Sequence, residues 1–171
     1  MSMPAENDKS ISTDRMKYVK NSKSALLCYL AIIFDVLYFV SIYESDVGPW
    51  YYQILTGSSI IYNLVFMLLV FLASEGVKNY KLPYSYLLIA AGVLQIARIF
   101  LLPLKAMRAT SVVNGAVTAV MGTSQAIIVI VCLSLSAVCL FAAALINIRK
   151  CSMLKKHAGE KQAYLPGTEG N

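Results

Sequence analysis

Charge is what this chain is short of. Only 14% of its residues are Asp, Glu, Lys or Arg, while 58% are hydrophobic. Soluble domains carry about 25% charged residues, so a soluble globular fold is excluded and a membrane protein is expected. Histidine is almost missing as well: His157 is the one present, and it falls in the tail after the last apolar run. Bundled haem and di-metal centres need several inward-facing ligands, so the sequence predicts no cofactor and no metal. It holds no P-loop, no H-E-x-x-H and no paired catalytic carboxylates. The serines of the apolar runs have no histidine to activate them. No catalytic residues are therefore assigned.

Cysteine is scarce and in the wrong places for disulfides. Cys28, Cys132, Cys139 and Cys151 all lie in or beside apolar runs, with no C-x-x-C among them. Their expected role is small apolar packing. Cys151, beside Arg149 and Lys150, is the one juxtamembrane thiol placed for S-acylation. No N-x-S/T acceptor occurs anywhere. Neither basic tail has interleaved aromatics or a recognition motif, so nucleic acid is excluded as a partner.

What the chain does have is long apolar runs. A spanning helix needs about 20 mostly apolar residues. Four runs qualify, at about 24–43, 50–73, 84–104 and 125–148. The first is too long for a signal-peptide core, and no A-x-A-like site follows it. The expected fold class is thus an all-α membrane protein, a four-span helical bundle. Three regions follow: a basic tail over 1–23, a transmembrane domain over 24–148, and a basic, partly disordered tail over 149–171. Residues 105–124 resist assignment. They are expected to form a short interfacial helix, a helical extension or a re-entrant stretch.

Basic residues set the orientation. Lys9, Arg15, Lys17, Lys20 and Lys23 precede the first span, and Arg149, Lys150, Lys155, Lys156 and Lys161 follow the last. Lys78 and Lys81 fall between spans two and three; only Lys105 and Arg108 fall on the other side. By the positive-inside rule both termini are expected in the cytoplasm. Lys20, Lys23, Lys78, Lys81, Arg149 and Lys150 are the candidates for contact with anionic lipid headgroups. Compact loops without glycosylation acceptors point to a bacterial inner (plasma) membrane.

Two charges lie at bilayer depth: Asp35 in span one and Arg98 in span three. Each is costly there and calls for a partner. Counting about 1.5 Å per residue places them within about 5 Å in depth, a gap that a long Arg side chain can bridge. Asn63 and Gln95 fall near the same layer. Asp35, Asn63, Gln95 and Arg98 are therefore expected to form one intramembrane hydrogen-bonded cluster. In span four Cys132, Ser136, Cys139 and Ala143 form a small-residue face, which packs within the bundle or meets a partner helix. Gly57, inside span two, is read as a position for close packing or for flexibility, close packing being the leading reading.

Three functions compete. The leading one is a non-enzymatic membrane protein that acts by association, as an accessory subunit of a membrane complex or as a homo-oligomer. The second is a small oligomeric transporter or channel with a polar route past Asp35 and Arg98. The third is a membrane-embedded enzyme for a lipid-like substrate. The second needs Asp35 open to water; a structural role needs it sequestered by Arg98.

Overall fold

The computed structural model describes residues 11, 19–43, 50–101, 110–113, 116–119 and 122–164. Their elements in chain order are α1 (Ser22–Tyr43), α2 (Trp50–Lys78), α3 (Leu82–Leu101), β1 (Thr110–Val113), β2 (Ala116–Ala119) and α4 (Thr123–Tyr164). Each of the four helices contains a stretch long and apolar enough to cross a membrane. The chain is a four-helix bundle and an integral membrane protein.

The helices form a ring. α1 packs against α2 and α4, and α3 packs against the same two. α1 and α3 thus face each other across the bundle axis. Side chains are sorted by size and polarity rather than by simple hydrophobicity. Large apolar residues such as Leu26, Ile33, Ile61, Leu68, Phe100 and Val138 face outward, where lipid replaces water as solvent. Inside are Ala31, Ala73, Ala91, Ala143 and Ala144, because small side chains let helix backbones approach closely. Gly92 takes this further: a Cβ there would come 2.9 Å from Cζ of Phe141 on α4. At Gly76 a Cβ would overlap the ring of Tyr84 across the α2–α3 corner. Among the described residues Gly57 has nothing within 4 Å of a Cβ position, so no close contact is seen there.

The α2–α3 corner is a tight one. Tyr80 N–H donates to Val77 O and Lys81 N–H to Gly76 O, at 3.2 and 3.1 Å. This pair of bonds is the Schellman pattern, which places its C′ residue in the left-handed region, usually as glycine. Here the residue is Tyr80, with φ 54°. α3 then starts at Leu82 with Pro83 in its first turn, where the missing N–H has no helical partner to lose.

Two helices run on past the apolar runs that mark them in the sequence. α2 continues beyond Ala73 to Lys78. α4 holds 42 residues, about 63 Å at about 1.5 Å per residue, roughly twice the hydrocarbon thickness of a bilayer. Residues from His157 onward, expected to be disordered, are helical as far as Tyr164. Ala, Lys, Gln and Glu are strong helix formers, and extending an existing helix avoids a new nucleation step.

Within 105–124 the expected helix is replaced by strand over 110–113 and 116–119, while Thr123 and Ser124 already belong to α4. β1 and β2 pair antiparallel, with Val112 opposite Val117 and Val113 opposite Ala116. In sequence they flank Asn114-Gly115, the dipeptide that most favours a two-residue hairpin turn. β-branched Thr110, Val112, Val113, Val117 and Thr118 reinforce the preference. Lys105 and Arg108, the acidic loop at 44–49 and most of the N-terminal tail lie outside the described residues.

Candidate functional site: a sealed polar layer

Asp35 and Arg98 meet. Arg98 Nη1 donates to Asp35 Oδ1 at 3.2 Å, with Asp35 fully buried and Arg98 4% exposed. They come from the diagonal helices α1 and α3, so the pair crosses the bundle axis. Gln95, almost one turn before Arg98, donates Nε2 to the same Oδ1 at 2.9 Å and to Ser136 Oγ on α4 at 3.2 Å. Ser136 in turn donates to the Ala31 carbonyl at 3.1 Å. Arg98 Nη2 reaches Ser59 Oγ on α2 at 3.2 Å. All four helices therefore contribute to one layer.

Aromatic rings hold the guanidinium. Its Cζ lies 4.2 Å from the centroid of the Tyr38 ring and 4.8 Å from that of Tyr62. A planar, weakly hydrated guanidinium stacks on such faces, which a lysine ammonium would do less well. Tyr62 was not singled out by sequence. It lies three residues beyond Ser59, a spacing that puts both on one helix face.

Asn63 is the member of the expected cluster that does not join the hydrogen bonds. It is fully buried, yet neither its Oδ1 nor its Nδ2 has a partner among the described residues.

Apolar clusters flank the layer on both sides among the described residues. Towards the lysine-bearing end lie Cys28, Ala31, Phe66, Val70, Leu88 and Leu140, among others. On the opposite side Tyr38, Ala126, Val129 and Leu133 pack together, with Ile99 against them. Gln125 Nε2 donates to Ser41 O, tying α4 to α1 at that far end. Asp35 is thus fully buried and paired with Arg98, with an apolar cluster on either side.

The small-residue face of α4 is used inside the bundle. Ser136 and Ala143 are fully buried and Cys132 nearly so, while Cys139 is half-buried. The Ala143 carbonyl accepts from Ser24 Oγ at 3.1 Å. Of the two roles left open by the sequence, the observed one is internal packing.

The basic residues gather at one end. Asn21, at the head of α1, donates its backbone N–H to Lys78 O at 3.0 Å, and Lys150 Nζ donates to Asn21 Oδ1 at 2.8 Å. Asn21 Nδ2 donates to Asn147 Oδ1 at 3.1 Å, and Asn147 Nδ2 to Ser85 Oγ at 2.7 Å. These two asparagines fasten α1, α2, α3 and α4 together at that end. Sequence reading passed over Asn21 and Ser85; nothing in a lone Asn or Ser at a helix start distinguishes a tertiary clamp from a cap. Lys20, Lys23, Lys81 and Arg149 stand exposed around the clamp. Lys78 is half-buried and bonded to Glu75 at 3.0 Å.

Tyr80 locks the corner beside them. Its hydroxyl donates to Val19 O at 2.9 Å. Burial, reinforced by the neighbouring Cys151, pushes the Tyr80 phenol above its usual value, so it remains a donor. Cys151 is 4% exposed and its thiol donates to Tyr80 O at 3.0 Å. The thiol is enclosed rather than presented to the membrane surface, in keeping with the packing role expected of the cysteines.

Comparison with known protein families, curated proteins and solved structures gives no match.

Proposed function

We propose that this chain works by association, as an accessory subunit of a membrane complex or as a homo-oligomer, and not by moving a substrate through its core. The observation that supports this reading most directly is the buried Asp35–Arg98 pair. A polar route would need Asp35 open to water; here it is fully buried, paired at 3.2 Å and enclosed between apolar clusters. Burying both partners together avoids most of the cost of burying each alone, and such a pair is best suited to fixing helix register.

The internal use of the α4 small-residue face moves the contact surface elsewhere. Among the described residues the outward apolar faces and the end of α4 beyond Ile148 are open to a partner. That end carries exposed Arg149, Lys155 and Lys156. With Lys20, Lys23 and Lys81 they form a basic rim matched to the anionic headgroups of the cytoplasmic leaflet. The proposed setting is a bacterial plasma membrane, with the rim on the cytoplasmic side.

Native mass spectrometry after gentle extraction tests the proposal. Larger subunits held at fixed stoichiometry identify an accessory component, and a defined homo-oligomer identifies self-association. A monomer carrying only lipid overturns the reading. Transport in liposomes that is lost on Asp35→Asn would put the polar route in its place.

A further inference from the structure

The polar layer holds more hydrogen-bonding capacity than its residues consume. Asp35 Oδ2, Gln95 Oε1, Asn63 Oδ1 and Asn63 Nδ2 are all buried without a partner among the described residues. Gln95 cannot relieve this by turning over. Its Nε2 serves Asp35 Oδ1 and Ser136 Oγ, and a flip would set a carbonyl against the carboxylate.

These groups lie at one depth. The clamp at the basic end provides a common origin, since Asn21 bonds Lys78 O directly and reaches Lys81 O through Asn147. From there Asp35 and Gln95 are each about 21 Å along their helices and Asn63 about 22 Å along its own, at about 1.5 Å per residue. Three acceptors and one amide donor thus lie at a single depth in the bundle interior, and the hydroxyls of Tyr38 and Tyr62, likewise buried without a partner among the described residues, lie within about one turn of them. Buried polar groups are almost always hydrogen-bonded, and leaving one unmet is strongly unfavourable.

We propose that this layer is an internal water site: a small cluster of bound water held by Asp35 Oδ2, Gln95 Oε1 and the Asn63 side-chain amide. Water both donates and accepts, so it satisfies the acceptors and the Asn63 N–H₂ together. A metal cation or ammonium fits less well. Arg98 already balances Asp35, and a second positive charge would share the layer with the guanidinium at low dielectric. Entering only when the bundle opens, the water is trapped and does not form a path. The site therefore goes beyond the association reading without depending on it.

Water-edited solid-state NMR on the full chain in lipid nanodiscs tests the site. Polarisation should pass from water to the Asn63 and Gln95 side-chain amides, and not to the Leu140 backbone amide in the neighbouring apolar cluster. Equal, negligible transfer to all three overturns the proposal. Asn63→Leu gives a second readout. If Asn63 holds water, the variant melts several degrees lower, because Asp35 and Gln95 lose part of their solvated network. If the layer is dry, removing an unmet amide leaves the melting temperature unchanged or raises it, which overturns the proposal. A melting temperature of the unmodified protein that rises in sodium over choline at equal ionic strength would assign the layer to a cation and likewise overturn it.

Discussion

Removing one charge from the Asp35–Arg98 pair leaves the other buried without its counter-ion. That is the expensive direction, about 3–5 kcal/mol for a buried pair. Asp35→Asn and Arg98→Gln should each lower the melting temperature and the membrane level sharply, while the double variant recovers part of the loss. The neutral contacts beside them behave differently. Hydrogen bonds between membrane helices average about 0.6 kcal/mol in double-mutant cycles, so Ser136→Ala should shift melting only slightly although it touches both Gln95 and Ala31. Small, equal effects from all three single variants would show that Asp35 and Arg98 are not paired. Arg98→Lys is not expected to rescue Arg98, because a point-like ammonium cannot serve Asp35, Ser59 and two tyrosine rings from one plane.

At the scale of the helices, the glycines separate packing from propensity. Gly57→Ala meets nothing within 4 Å, so the variant gains the helix propensity of alanine, up to about 1 kcal/mol. Gly76→Ala drives a methyl into the Tyr84 ring. Overpacking of that kind costs about 1–3 kcal/mol and outweighs the same propensity gain. The two substitutions are chemically identical and should move the melting temperature in opposite directions; a common sign would show that the α2–α3 corner can relax. Sequence alone could not sort these glycines, because the difference lies in a side chain of the neighbouring helix. The spans were legible, since about 20 apolar residues in a row admit few alternatives. So was the Asp35–Arg98 layer, because two charges at matching depth constrain each other. Asn63 shows the limit of that reasoning: its depth was readable, but whether its amide meets a partner depends on helix rotation. The hairpin before α4 was written in Asn114-Gly115 and its β-branched flanks. A segment this short and apolar is ambiguous by periodicity alone, and only the turn chemistry separates hairpin from helix. The clamp at Asn21 and Asn147 was illegible for another reason. Its partners are far apart along the chain, and no spacing rule links them.

For the molecule as a whole, the bundle is asymmetric end to end. Every described lysine between Lys20 and Lys81 lies at the end where Asn21, Lys78 and Lys150 meet. Glu75, the acid at that end of α2, is already occupied by Lys78. Positive charge near span ends is retained on the cytoplasmic side during insertion, and the anionic inner leaflet adds about 1 kcal/mol per basic residue near its surface. Six residues, Lys20, Lys23, Lys78, Lys81, Arg149 and Lys150, act in the same direction, so the orientation is expected to be uniform. Single cysteines at Asn79 and at Val47 in a background lacking Cys28, Cys132, Cys139 and Cys151 read it out in intact cells. Val47 should react with a membrane-impermeant maleimide, and Asn79 should react only after the membrane is opened. The reverse pattern would place the basic rim outside. Labelling of both positions in intact cells would mean a dual-topology protein, in which antiparallel copies become the natural form of self-association. Neutralising Lys20, Lys23, Lys78 and Lys81 together should push the wild-type pattern towards that mixed state, because the remaining terminal charges then act against a loop that no longer resists translocation.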